Sequence, residues 1–163
     1  MIQGVRGTAL AGAAAAGAGL GVALASERFL GLVPCALCLW ERWPYRVAMA
    51  IMLLAWAVPR GGRLLLGLAA LAMLAGAGLA VTHVGVERGW WPSPLPECAA
   101  PSFGGGSISE RLARMPARPA KPCDDPTYLI PGLPLSMAEM NLTYALALAG
   151  FCAISAARKP RTP

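Results

Sequence analysis

The chain has 163 residues, of which 56% are hydrophobic and only 13% charged; soluble domains carry roughly 25% charged residues, so an ordinary water-soluble domain is excluded. Its length allows about four spans of ~20 residues with one sizeable loop left over, which predicts one bundle rather than several domains. The formal net charge of +6 does not point to nucleic acid, because the basic residues are dispersed and no aromatic residues interleave with them in a basic groove.

The first charge-free run, residues 8–26, is rich in Ala and Gly. It exceeds the ~7 to 15-residue core of a signal peptide and is read as a span. Gly17 and Gly21 within it form a small-xxx-small pair that permits close approach of a neighbouring helix. After Arg46 only Val47 to Val58 is free of charge, too short to cross, so the next span has to reach back to residues 37–58, ~33 Å of helix. That places Cys38, Arg42 and Arg46 inside or at the membrane boundary, and Pro44 predicts a kink or a helix restart. Two more charge-free runs give spans over 64–82 and 140–157. The fold expected is an all-α integral membrane protein, a four-transmembrane-helix bundle with a long outer loop over residues 83–137.

Four spans put both termini on one side with the turn Pro59 to Arg63. Arg6, Arg60, Arg63, Arg158, Lys159 and Arg161 lie there with no Asp or Glu, which makes that face cytoplasmic by the positive-inside rule. The opposite face carries four of the five cysteines. From Trp91 to Pro134 the chain holds ten of its fifteen prolines and the run Gly104-Gly105-Gly106, a composition that breaks helices and strands and predicts a mobile loop. One island of order is expected in it. Ser107 and Glu110 fit a capping box, and Ile108, Leu112 and Met115 share a face, giving a short amphipathic helix on the membrane surface. A solvated charged turn ended by Pro116 is the competing reading.

An even number of outward-facing thiols implies oxidised pairs, since disulfides persist outside the reducing cytosol. Cys35 and Cys38 pair by proximity in "PCALC", leaving Cys98 and Cys123 as the other pair, while Cys152, in the last span, reads as an inert small hydrophobe. A bridge across the Pro/Gly-rich loop is expected to be exposed to external thiolates, and exposed bridges are the labile ones. Cys35 and Cys38 head a helix, where the dipole lowers thiol pKa, and Arg42, one turn beyond Cys38, adds a cationic influence that favours a Cys38 thiolate. Two bridges acting only as staples explain this poorly: a CxxC bridge constrains few residues, and an Arg at the membrane boundary is costly without a role. A metal centre with His83 as a further ligand is disfavoured. Zinc sites usually show paired short spacings, Cys98 and Cys123 lie far apart, and Arg42 would repel a cation.

The stretches "PCALCLWER", "HVGVERGWWPSP" leading to Cys98, and "CDDPTYLIPGLPLSMAEMN" resemble the disulfide bond formation protein B (DsbB) family, over essentially the whole chain. The resemblance implies a four-helix protein of the bacterial inner membrane that reoxidises a periplasmic DsbA-like thiol oxidase and passes its electrons to quinone, ubiquinone or menaquinone. By position it implies that Cys98 forms the mixed disulfide with the partner, that Cys123 pairs with Cys35 as electrons move inward, and that Cys38 meets the quinone. It implies that Arg42 holds the quinone and that His83, with Glu87 one turn on, lines the quinone site; a hydrogen-bonded boundary histidine is the plainer reading of His83. Pro44 and the Gly/Pro content of the loop depart from the family's best-known pattern. Two other functions remain open at this stage: a non-enzymatic membrane adaptor with a stapled loop, and a related thiol oxidase serving a different dedicated partner.

Overall fold

The computed structural model describes residues 2–98, 107–113, 121–130 and 132–158. Six α-helices occur among them: α1 (Ile2–Leu30), α2 (Ala36–Trp40), α3 (Arg42–Ala57), α4 (Gly62–Glu87), α5 (Ile108–Ala113) and α6 (Met137–Ala157). Three stretches are long and apolar enough to cross a membrane: Gly4–Leu30, Pro59–Glu87 and Met137–Ala157. All three helices overrun the charge-free runs, because the charges at their ends find partners. Arg6 donates to the Trp56 carbonyl (3.2 Å), Glu27 is paired with Arg42, and Arg63 donates to the last carbonyls of α6, Ala156 (2.8 Å) and Ala157 (3.5 Å).

The expected interruption near Pro44 takes the form of a restart. α2 ends at Trp40 and α3 begins at Arg42, with Pro44 in its first turn. Proline has no N–H to offer the carbonyl four residues back, here that of Trp40, so the helical ladder loses one bond at this point. The indoles of Trp40 and Trp43 at the join point outward and are exposed, and the Arg46 guanidinium lies over the Trp43 ring, 5.3 Å from its centroid.

α4 packs along α6 and against α3, and α3 packs against α1, while α1 and α6 touch over a shorter stretch. The shared core is built from small side chains, Ala13, Ala48, Ala69, Ala77 and Ala145 among them, with Met52, Leu66 and Met73 filling the gaps. Without a hydrophobic drive between helices in lipid, such close backbone approach supplies the association through dispersion. The glycine that matters in α1 is not in the expected pair: nothing lies within 4 Å of where a Gly21 Cβ would be, whereas a Cβ at Gly12 would collide with the Met52 sulfur. Cys152 is fully buried against that same sulfur, 3.7 Å away.

The outer ends of the helices are closed by sequence-specific caps. α1 stops at Gly31, whose φ of 66° only glycine adopts cheaply, with Leu32 N–H returning to the Ser26 carbonyl (3.2 Å). α4 ends in both bonds of a Schellman turn, Trp90 N–H to Gly85 O (2.8 Å) and Gly89 N–H to Val86 O (3.1 Å). The turn brings the Trp91 ring against Gly85, where any Cβ would collide with it, and its indole N–H donates to the Thr82 carbonyl (3.0 Å). α6 opens with a capping box of Ser136 and Glu139. In the loop, Ser107 and Glu110 form the expected reciprocal cap on α5, and Ile108 is exposed. Met115 and the Gly104–Gly106 run fall outside the described residues.

Candidate active site

Cys35 is the N-cap residue of α2, with extended backbone (φ −77°, ψ 172°), and its sulfur accepts from the Cys38 N–H at 3.3 Å. The CxxC spacing produces this directly, since a capping side chain bonds the third residue of the helix it opens. The two sulfurs stand 3.1 Å apart, close but unbonded. Cys35 precedes the helix, outside the crossing segments, and its thiol is pulled down to about 4. The Cys38 thiol is the largest influence, burial opposes it, and His83 lowers it again by hydrogen bond and charge. The thiolate favoured by these neighbours is Cys35, where the sequence had pointed to Cys38.

The second pair is bonded, Cys98 to Cys123, as expected, but not in the expected surroundings. Cys98 is 4% and Cys123 1% exposed, and both pack in one buried cluster with Cys35, Leu37 and Val86, against which Cys38 and Leu95 also rest. The expectation of an exposed bridge is thus corrected. Leu37 from α2 and Val86 from the end of α4 supply apolar cover that loop composition alone could not reveal. Among the described residues, the backbone bonds at the bridge are Cys98 N–H to Leu95 O (3.1 Å) and Cys123 N–H to Cys98 O (3.4 Å). Four cysteines separated by up to 88 positions come together at one end of the bundle.

Behind Cys35 runs a chain of buried polar groups. His83 Nε2 lies 3.4 Å from Cys35 Sγ, and His83 Nδ1 lies 2.9 Å from Glu41 Oε1. Asn141 donates to the other oxygen of Glu41 (2.9 Å), and the Tyr45 hydroxyl donates to Asn141 Oδ1 (2.7 Å). Glu87 Oε1 is 3.8 Å from His83 Nε2, and its other oxygen accepts from Ser136 (2.5 Å). Glu41, Asn141 and Tyr45 were not singled out from the sequence. A carboxylate in "WER" and an amide in "AEMN" at membrane depth were the available signals, since ionisable and polar groups there are costly unless partnered.

A cavity of about 420 Å³ opens between α1, the α2–α3 join and α6. Its wall is largely apolar, with Leu20, Val22 and Met140 among its residues, and Cys38, Arg42 and Tyr45 are part of it. The His83 ring is turned to Cys35 and Glu41. Arg42 is largely buried and pairs with Glu27, yet its Nε is buried with no hydrogen-bond partner among the described residues. Cys35 thus belongs to the bridge cluster and Cys38 to the cavity, three residues apart on one short helix.

A model of the family described as disulfide bond formation protein DsbB matches residues 5–155, nearly the whole chain. No curated protein and no solved structure matches. The chain belongs to that family. Its membership and its three apolar helices make it a multi-pass membrane protein with the chemistry of disulfide formation.

Proposed function

We propose that the protein is a quinone-linked thiol oxidase that reoxidises a DsbA-like, thioredoxin-fold oxidase of the periplasm. The observation that carries this reading is the division of the CxxC pair, with Cys35 against the Cys98–Cys123 bridge and Cys38 on the wall of an apolar cavity. In the same reading α2 and α3 together make a fourth crossing of the bacterial inner membrane and both termini are cytoplasmic, in keeping with the acid-free basic face.

The residues present fit a quinone. The cavity is apolar, and the unpartnered Arg42 Nε offers a buried donor for a ring oxygen, a group whose desolvation is costly until it finds an acceptor. A bound quinone supplies an acceptor for the two electrons and two protons released when a dithiol closes to a disulfide. Arg42 orients and stabilises charge, Cys38 presents its sulfur to the cavity, and Glu27 keeps the guanidinium in place.

On the outer side the partner's thiolate attacks Cys98 Sγ, the Cys98–Cys123 bond breaks, and its electron pair leaves on Cys123. Cys123 then attacks an oxidised Cys35–Cys38 bond at Cys35, closing Cys123–Cys35 and leaving Cys38 as the thiolate. The partner's second thiolate attacks the partner's own sulfur in the mixed disulfide, which releases the partner oxidised with Cys98 as the leaving thiolate, and Cys98 then attacks the Cys123 sulfur, reforming Cys98–Cys123 and freeing Cys35. Each exchange conserves electrons, and the four together move one pair from the partner's dithiol to Cys35 and Cys38. His83 Nε2 takes or returns the proton of Cys35, with Glu41 holding Nδ1.

A stapled, non-enzymatic loop also accounts for a buried bridge, and redox titration separates the readings. Structural bridges resist reduction down to below about −300 mV, whereas relay bridges exchange at higher potentials. The direct test adds a reduced DsbA-like oxidase and a soluble quinone to the purified protein. One quinone reduced per partner dithiol oxidised is expected; thiol exchange without quinone reduction overturns the reading.

A further inference from the structure

Cys35 Sγ, Cys38 Sγ and His83 Nε2 all lie within 4.8 Å of one another. We propose that the reduced chain binds a thiophilic divalent cation, Zn²⁺ or Cd²⁺, through these three atoms, and that the loaded form is closed to thiol exchange. The site does not depend on what the cavity holds.

The geometry is near what a tetrahedral ion requires. Zinc bonds of ~2.3 Å to sulfur and ~2.0 to 2.1 Å to nitrogen place two sulfurs about 3.8 Å apart and a sulfur and a nitrogen about 3.5 Å apart. The distances here are 3.1 Å between the sulfurs and 3.4 Å from Cys35 Sγ to His83 Nε2, with Cys38 Sγ within 4.8 Å of the same nitrogen, so the Cys38 sulfur has to draw away from Cys35 by about 0.7 Å to reach that geometry. The histidine is already oriented: with its Nδ1 hydrogen given to Glu41 Oε1 at 2.9 Å, Nε2 is left as the lone-pair nitrogen facing the sulfurs. A carboxylate on the far nitrogen is the usual support for a metal-bound imidazole. Glu87 Oε1, 3.8 Å from the same Nε2 and steadied by Ser136 through its other oxygen, is within reach of a fourth position, which water otherwise fills.

Charge does not oppose the ion. Arg42 is compensated by Glu27, and Glu41 adds a negative charge behind the imidazole. Binding displaces the two thiol protons to solvent and leaves two thiolates that neutralise the cation. A disulfide has no thiolate to give, so only the reduced pair binds. Both sulfurs are then committed to the metal and neither attacks a disulfide, which makes the ion a reversible brake on the reduced protein.

The test uses the full-length protein carrying Cys98→Ser and Cys123→Ser, so that Cys35 and Cys38 are the outer thiols. Reduced and freed of metal, it is titrated with Cd²⁺ while the ultraviolet sulfur-to-cadmium charge-transfer band is followed. Saturation at one Cd²⁺ per chain is expected, with loss of the band after oxidation of the pair. Glu41→Gln is expected to weaken binding roughly ten- to hundredfold, the usual effect of removing such a support. Cadmium NMR of the loaded protein, with His83 intact, reads the ligand set without a variant that could misfold. A shift in the range for two sulfurs with nitrogen supports the site. Binding that survives oxidation, or a shift showing no nitrogen ligand, overturns it.

Discussion

The two cysteine pairs occupy one buried cluster but are held there by different means. Cys35 and Cys38 are fixed by regular structure: one caps α2, the other is its third residue, and His83 and Glu41 lock the cap from behind. Cys98 and Cys123 sit outside the regular α-helices and are covered by Leu37 and Val86. Dispersion and apolar burial are non-directional, so such a bridge can lift off and resettle, whereas a cap cannot shift without unwinding its helix. A relay that hands electrons from a mobile visitor to a membrane carrier needs one pair of each kind.

The sharpest break in that contrast is Cys123→Ser. With no second thiol, exchange stalls after the first attack, so turnover is expected to fall to the uncatalysed level while a mixed disulfide through Cys98 accumulates. Non-reducing electrophoresis with mass mapping reads this directly. Accumulation through Cys35 instead would reverse the roles of the two pairs.

Arg42→Ala tests the inner pair at its cavity side. Loss of one charge-assisted hydrogen bond, ~1.5 to 3 kcal/mol, corresponds to roughly ten- to hundredfold weaker use of quinone. Exchange at Cys98–Cys123 should be unaffected, and Arg42→Lys should fall between, keeping charge but losing the planar fork. Steady-state rates against quinone concentration decide it, and an unchanged dependence in Arg42→Ala removes Arg42 from the site.

The smallest effect is a flat line. With the Cys35 thiol held at about 4, the reduced protein keeps this thiolate from neutral pH down into mild acid and loses it only as pH falls through that value. An ordinary thiol, near 8.5, loses about tenfold in thiolate per unit of pH below its pKa. Iodoacetamide alkylation of Cys35, located by mass spectrometry, should therefore change less than about twofold between pH 8 and 6. A steep fall over that window would show that the Cys38 thiol and His83 do not hold the charge on Cys35.

Much of this was legible in sequence because it is local. Charge-free runs mark the crossing helices, "PCALC" encodes a capped helix end, and Pro44 forces a restart. Helix ends were misjudged where a charge meets a partner far along the chain: Glu27 reads as a boundary until Arg42 is seen beside it. The direction of the His83 ring was not legible, since it is set by Glu41, itself overshadowed by the arginine that follows it. The buried bridge was missed for the same reason. Prolines and glycines forecast an open loop, and only packing by residues on α2 and α4 reveals its cover.

The exposed indoles at the α2–α3 join set the draught at which the protein floats. Trp prefers the zone where hydrocarbon gives way to headgroups, and the Trp40 carbonyl, deprived of its helical donor by Pro44, is best served by that hydrated zone. Cys35 lies five residues above Trp40, about 7.5 Å of helix rise. Cys38, on the cavity wall, lies on the same side of Trp40 as Cys35, so with the indoles held in that zone a change in lipid thickness would raise or lower the whole dithiol relative to the aqueous side.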